Sequence, residues 1–167
     1  MRVYLPATTT VLERLLDQGR LAGPLTVFTV TPQLRSAYEL SDSDEELEYA
    51  ALIAAARASL RLIDNDPTAG RRRVVLAADV PEATVTPIED EGADAGAART
   101  TADVALAVVA SAHLDVAAAE DDVRAAVNVV LEADLGSEDA QFVVDQVEGH
   151  ELAWYATQEI GPVLELL

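Results

Sequence analysis

The chain has 167 residues, half of them hydrophobic, and a formal net charge of −19. Its length suits one globular domain, and the absence of cysteine excludes thiol nucleophiles, thiolate metal sites and disulfide-stapled scaffolds. The charge comes from 30 acidic residues against 11 arginines, with no lysine. Because such a field repels phosphate groups, we expect no nucleic-acid or membrane partner. We expect a single cytoplasmic domain over 1–167 with no cofactor.

The acidic surface has three explanations, which composition alone leaves open. It can keep an alanine-rich protein in solution, it can reflect adaptation to high internal salt, or it can dock a basic protein. Only the third gives the charge a function.

The first thirty residues predict a strand, a helix and a second strand. Residues 2–6 alternate polar and apolar side chains, and the spacing of Thr10 and Glu13 fits a capping box at a helix start. Gly19 is a natural left-handed helix terminator. Residues 25–31 are rich in β-branched side chains, which favours a strand.

A long helix is the clearest element of the chain. Residues 32–40 suggest a short helix, and the acidic stretch 41–46 begins a longer one that continues to about residue 63. The continuous apolar centre of 71–81 predicts a strand buried on both faces, and 84–88 is a weaker strand.

The second half is less regular. Residues 89–101 are acidic, rich in alanine and glycine and without periodicity, which predicts a mobile loop or insertion. Residues 104–114 read as a strand, and 115–134 as an amphipathic helix ended by Gly136. The stretch 142–155 predicts a β-hairpin, with a single broken helix as the alternative.

These elements indicate an α+β fold, with one mixed or antiparallel sheet packed with helices. The predicted order is β-α-β-α-β followed by β-α-β-β-α, for which a ferredoxin-like sandwich is one candidate. Pro162 marks the start of a last short helix.

Three stretches together resemble an uncharacterised bacterial family of small cytoplasmic proteins, a domain of unknown function. They are ELEYAAL with RASLRL (46–52 and 57–62), RRVVLAADVP (72–81) and HELAWYATQE (150–159). The resemblance covers nearly the whole chain and departs most in 89–101. It implies a bacterial cytoplasmic protein and brings no catalytic residues with it.

Only two histidines, His113 and His150, could carry protons near neutral pH. His113 suits a structural role at the end of an element. If 142–155 forms strands, His150 and Trp154 share one face while Glu151 and Tyr155 share the other. The first face is then a pocket wall or partner patch, unless Trp154 is an ordinary core residue.

Glu48, Tyr49 and Glu159 complete the candidates for a polar site. A buried carboxylate near His150 could act as a general acid or base, because burial raises its pKa. The alternative is that Glu48 belongs to an ordinary acidic helix start.

Arg71, Arg72 and Arg73 form a triplet that could bind an anion, or that could simply be a solvated strand entry. No motif for a metal or a nucleotide is present, so we expect no metal site. The leading hypothesis is a non-enzymatic acidic module for protein interaction or regulation. The alternative is a small enzyme or ligand-binding protein with a pocket near His150 and Trp154.

Overall fold

The computed structural model describes residues 1–38 and 43–167. Its strands, in chain order, are β1 (Arg2–Ala7), β2 (Arg20–Leu21), β3 (Leu25–Phe28), β4 (Val74–Asp79), β5 (Val85–Pro87), β6 (Ala97–Thr100), β7 (Val104–Ala105), β8 (Val109–Leu114) and β9 (Ala153–Ala156). Its helices are α1 (Thr9–Gln18), α2 (Pro32–Ala37), α3 (Asp44–Asp64), α4 (Glu120–Asp134), α5 (Glu138–Glu148) and α6 (Ile160–Glu165). The protein therefore has the expected α+β fold.

Seven strands form one antiparallel sheet in the order β5-β6-β3-β1-β4-β8-β9, and β2 pairs with β7 in a separate ribbon. β1 lies at the centre, antiparallel to both β3 and β4. Because side chains alternate along a strand, β1 supplies the core on both sides. Leu5 packs with Leu12, Leu15 and Ile160 of α1 and α6, whereas Tyr4 packs with α3.

The helix caps explain where several elements begin and end. Thr8 caps α1 by accepting a hydrogen bond from the Val11 amide, so the predicted capping box at Thr10 lies two residues too late. Gly19 ends this helix with a φ of 75°, which confirms the predicted left-handed terminator. Ser43 caps α3 through the Glu46 amide. The predictions for residues 39–42 lie outside the described residues.

The predicted hairpin over 142–155 is wrong in its first half, where the structure has helix α5. Ser137 caps this helix, and Ala140, Val144 and Val147 are buried at helical spacing. These buried side chains join α4 and the end of α3 in a second apolar cluster. Packing against two helices therefore overrides the strand preference of the paired valines.

Two other stretches differ from their prediction. Residues 97–100, within the predicted loop 89–101, form β6 because β3 and β5 pair with them on either side. The predicted strand 104–114 is divided into β7, a 3₁₀ turn over Leu106–Val108, and β8. Only long-range pairing distinguishes these segments from loops.

Candidate functional site: an acid-rimmed groove on α3

The outward face of the first half of α3 lines an open groove of about 780 Å³. The opposite face of the helix carries Leu47 and Ala51, which are fully buried against the sheet. Asp94, in the loop before β6, and Glu148, at the end of α5, complete the groove. Its volume lies in the range of about 300–1,000 Å³ that is usual for small-molecule sites.

The walls of the groove combine aromatic and acidic side chains. Tyr38 is 45% exposed and Tyr49 is 60% exposed, so both rings face solvent. Four carboxylates line the groove, namely Glu45, Glu46, Asp94 and Glu148. Among the described residues that line it, Arg57 is the only cation. The α3 groove therefore has a net negative charge.

Arg57 contacts α4 and α5 through one short hydrogen bond and two long ion pairs. Its guanidinium donates to the Gln141 side-chain oxygen at 2.7 Å. The carboxylates of Asp134 and Glu148 lie at 4.0 and 3.8 Å, at or near the limit for an ion pair. Arg57 can therefore move at the cost of one hydrogen bond, without breaking a close bidentate ion pair.

Burial raises the pKa of Glu148, while the nearby Arg57 charge opposes this shift and Asp145 adds to it. A carboxylate that is partly removed from water is costly to ionise. A cation bound in the groove would favour the ionised form and would lower this pKa again.

Arg72, Arg73 and His150 lie together just before β4, beside the start of α4. Arg73 and Asp115 have side chains only 1% and 0% exposed, and they form a bidentate pair with both contacts at 2.8 Å. Arg73 also donates to the His150 carbonyl oxygen. Arg72 donates to Glu120 and to the Asp115 carbonyl oxygen.

The remaining groups of this cluster are also used internally. The His150 ring lies 2.7 Å from Asp122, and Arg71 donates to the Ala69 carbonyl oxygen. Arg72, Arg73 and His150 thus connect β4, α4 and the segment after α5. Internal partners take much of the triplet's hydrogen-bonding capacity.

Glu48, on α3, and Trp154, on β9, lie on the same side of the sheet. The Glu48 carboxylate lies near the Tyr4 hydroxyl, and burial together with the Glu48 charge raises the Tyr4 pKa. Trp154 pairs directly with His113 on β8, and the Ser111 hydroxyl lies 3.0 Å from the His113 ring. The histidine beside Trp154 is therefore His113, because His150 precedes the strand.

The other predicted residues surround β9. Trp154 is 61% exposed, so it is not a core residue, whereas Tyr155 packs against the α1 side of the core. Glu151 is exposed just before the strand. Glu159 lies just after the strand and accepts a hydrogen bond from the Ala156 amide at 2.8 Å.

A comparison with protein-family models matches residues 1–164 to a family of unknown function (DUF6912). The chain belongs to this family. The match spans the α3 groove, the Arg73–Asp115 pair and β9. No curated protein and no solved structure matches the chain.

Two further properties concern the parts of the chain that the structure describes. Within residues 1–38 and 43–167, no group of three or more His, Asp or Glu side chains could hold a metal ion. No helix in those ranges is long and apolar enough to cross a bilayer.

The sequence identified Tyr49 as a candidate but not the rest of the α3 groove. Tyr38, Arg57, Asp94 and Glu148 come from four separate segments, and nothing in their spacing links them. Glu148 stands beside Gly149, and its position opposite Arg57 depends on α5 being a helix. The incorrect hairpin therefore concealed the groove.

Proposed function

We propose that this protein is a non-enzymatic interaction module that binds a basic segment of a partner protein in the α3 groove. The observation that carries the proposal is the composition of the groove, in which four carboxylates and two exposed tyrosines surround one arginine. An arginine or lysine side chain placed there would meet carboxylates and aromatic ring faces together.

Physical considerations support this class of occupant. Cations stack on aromatic rings with about 0.5–2 kcal/mol of stabilisation, and arginine forms bidentate pairs with carboxylates. The overall charge of −19 would steer a basic partner toward the protein at a rate that falls with added salt. Arg57 would then move toward Asp134, which also pairs with Arg61.

The test compares a labelled arginine-rich peptide with an acidic peptide of equal length by fluorescence anisotropy. Tyr49→Ala should weaken binding of the arginine-rich peptide, and Glu45→Gln/Asp94→Asn should weaken it by about ten-fold, or 1.4 kcal/mol. The matched control is Glu82→Gln/Glu132→Gln, which removes the same charge from exposed positions outside the groove.

The control should bind nearly as well as the unaltered protein. Equal losses in the two double variants would mean that net charge alone attracts the peptide, and would overturn the groove as its site. If Tyr49→Ala leaves the affinity for the arginine-rich peptide unchanged, the peptide does not contact the Tyr49 ring.

A small enzyme or ligand-binding protein remains the second candidate, favoured by one observation. The Ser111–His113 contact lies beside exposed Trp154, on the face that also carries Tyr4 and Glu48. Trp154 is the only tryptophan, so its emission reports directly on a small molecule bound there. A metabolite screen by tryptophan emission, repeated with His113→Gln, tests this candidate. If His113→Gln leaves the binding of every metabolite found in the screen unchanged, this second candidate is wrong.

A further inference from the structure

The two edges of the seven-stranded sheet are built differently. β5, at one edge, has only three residues and ends in Pro87, which has no amide hydrogen to offer. β9, at the other edge, pairs with β8 on one side only among the described residues. Unpaired edges of sheets accept additional strands unless charge, proline or distortion protects them.

The hydrogen-bond alternation shows which backbone groups of β9 face outward. The Asp115 amide donates to the Arg73 carbonyl oxygen, so alternate residues of β8, including His113, point their backbone groups toward β4. Ala112 and Leu114 then face β9 and bond to Tyr155 and Ala153. The amide and carbonyl of Trp154 consequently point away from the sheet.

Ala156 agrees with this assignment, because its amide turns outward to the Glu159 carboxylate. Between Glu151 and Glu159 the chain carries no charged residue, although a quarter of the whole protein is charged. The β9 edge thus offers uncharged backbone with an exposed indole, and a carboxylate at each end.

We propose that β9 accepts an extended segment of a basic partner as an eighth strand of the main sheet. The segment bonds to the outward amide and carbonyl of Trp154. Its basic side chains pair with Glu151 and Glu159, and the Glu159 carboxylate releases the Ala156 amide to the added strand. This is strand addition with charge selection at both ends.

Charge favours a basic partner over a second copy of this chain. Two copies, each with a net charge of −19, would repel one another as their edges approached. The inference rests on the proposed function for the nature of the partner and adds a contact outside the α3 groove.

The probe is a peptide of alternating valine and threonine with a lysine at each end. Its control is the same peptide with its central amides N-methylated, which keeps the charge and removes the donors. With the unmodified peptide, exchange of the Trp154 amide with deuterium should slow by at least about ten-fold at saturation, as measured by NMR. Trp154 emission should shift to shorter wavelength, and the methylated peptide should do neither.

Two substitutions at one position separate backbone from side chain. Trp154→Thr keeps the outward amide and should still bind the peptide, whereas Trp154→Pro removes that amide and should not. Should Trp154→Pro fail to fold, the exchange measurement on the unaltered protein decides the question.

Equal binding of the two peptides, or unchanged exchange at Trp154, would overturn the proposal. Self-association that strengthens with salt would overturn it as well, because a second copy would then be the occupant. Tyr49→Ala should leave the slowing of exchange at the Trp154 amide unchanged, because that readout is local to β9. If only the β9 tests fail, the α3 groove still stands, since its own variants report on it separately.

Discussion

Two arginine–carboxylate clusters of this protein have the same chemistry but differ in burial and in the distance between their charges. Arg73 and Asp115 are closed off from water and joined at 2.8 Å, with the Arg73 backbone amide donating to the same carboxylate. Arg57 and Glu148 lie 3.8 Å apart, with side chains 25% and 31% exposed. The first pair is sealed from solvent, whereas the second lines an open groove. Three predictions test this difference and one, on Ser59, tests the buried backbone beside Arg73, in decreasing order of expected effect.

Asp115→Ala should cost about 3–5 kcal/mol in the free energy of unfolding, because it leaves the buried Arg73 charge without its partner. Urea unfolding followed by circular dichroism measures the change. The matched control is Asp79→Ala, which breaks the exposed Arg2–Asp79 pair and should cost no more than about 1 kcal/mol. Similar costs for the two variants would contradict the structural role of the buried pair.

Ser59→Ala should destabilise the same end of the molecule by about 1–3 kcal/mol. The Ser59 hydroxyl is fully buried, donates to the Ala7 carbonyl oxygen at 2.6 Å and accepts from the Val74 amide. Its loss leaves both backbone groups buried without this partner. The same unfolding experiment checks the value, and Ser36→Ala, at an exposed position of α2, should have little effect.

Arg57→Met should lower the stability by about 1 kcal/mol, because it removes one partly buried hydrogen bond to Gln141 and two long, partly exposed ion pairs. It should also strengthen binding of the arginine-rich peptide, since it removes the cation that competes for the groove carboxylates. Anisotropy titration measures the affinity. Weaker peptide binding would show that Arg57 itself contacts the peptide.

The smallest effect concerns pH. Burial raises the pKa of Glu148, so the folded protein keeps this proton to a higher pH than the unfolded chain does. The resulting stability is present at low pH and is lost as the pH rises through the raised value. A bound cation requires the ionised form, so peptide affinity should fall as the pH falls through the same range.

Glu148→Gln should remove this part of the pH dependence of binding while leaving the other carboxylates in place. Anisotropy titrations at a series of pH values compare the two proteins. If the affinity of the variant and of the unaltered protein depends on pH in the same way, protonation of Glu148 does not affect peptide binding.

The local elements were largely predictable from the sequence. The apolar centre of β4, the left-handed Gly19 and the acidic start of α3 each depend on near neighbours in the chain. α5 was not predictable because a short segment with paired valines suits either a helix or a strand, and β6 was not because its alanine-rich sequence carries no strand pattern of its own. The end of α3 packs against α5, and β3 pairs with β6, so segments distant in sequence decide the outcome.

The residues of the candidate sites also differ in whether the sequence identified them. Tyr49, Trp154 and Glu159 stood out as unusual residues near recognisable elements, and the structure places all three at a groove or a sheet edge. Arg57 and Glu148 did not stand out in a chain with 30 acidic residues. Their significance lies in being partly removed from water beside one another.

The sequence by itself determined the charge, the absence of cysteine chemistry, the α+β class and the resemblance to a family, because these depend on composition and on local periodicity. Tertiary structure alone decided which charges are sealed and which face an open groove. It did so because the cost of a charge depends on the water and the partners around it, and segments far apart in the chain supply both.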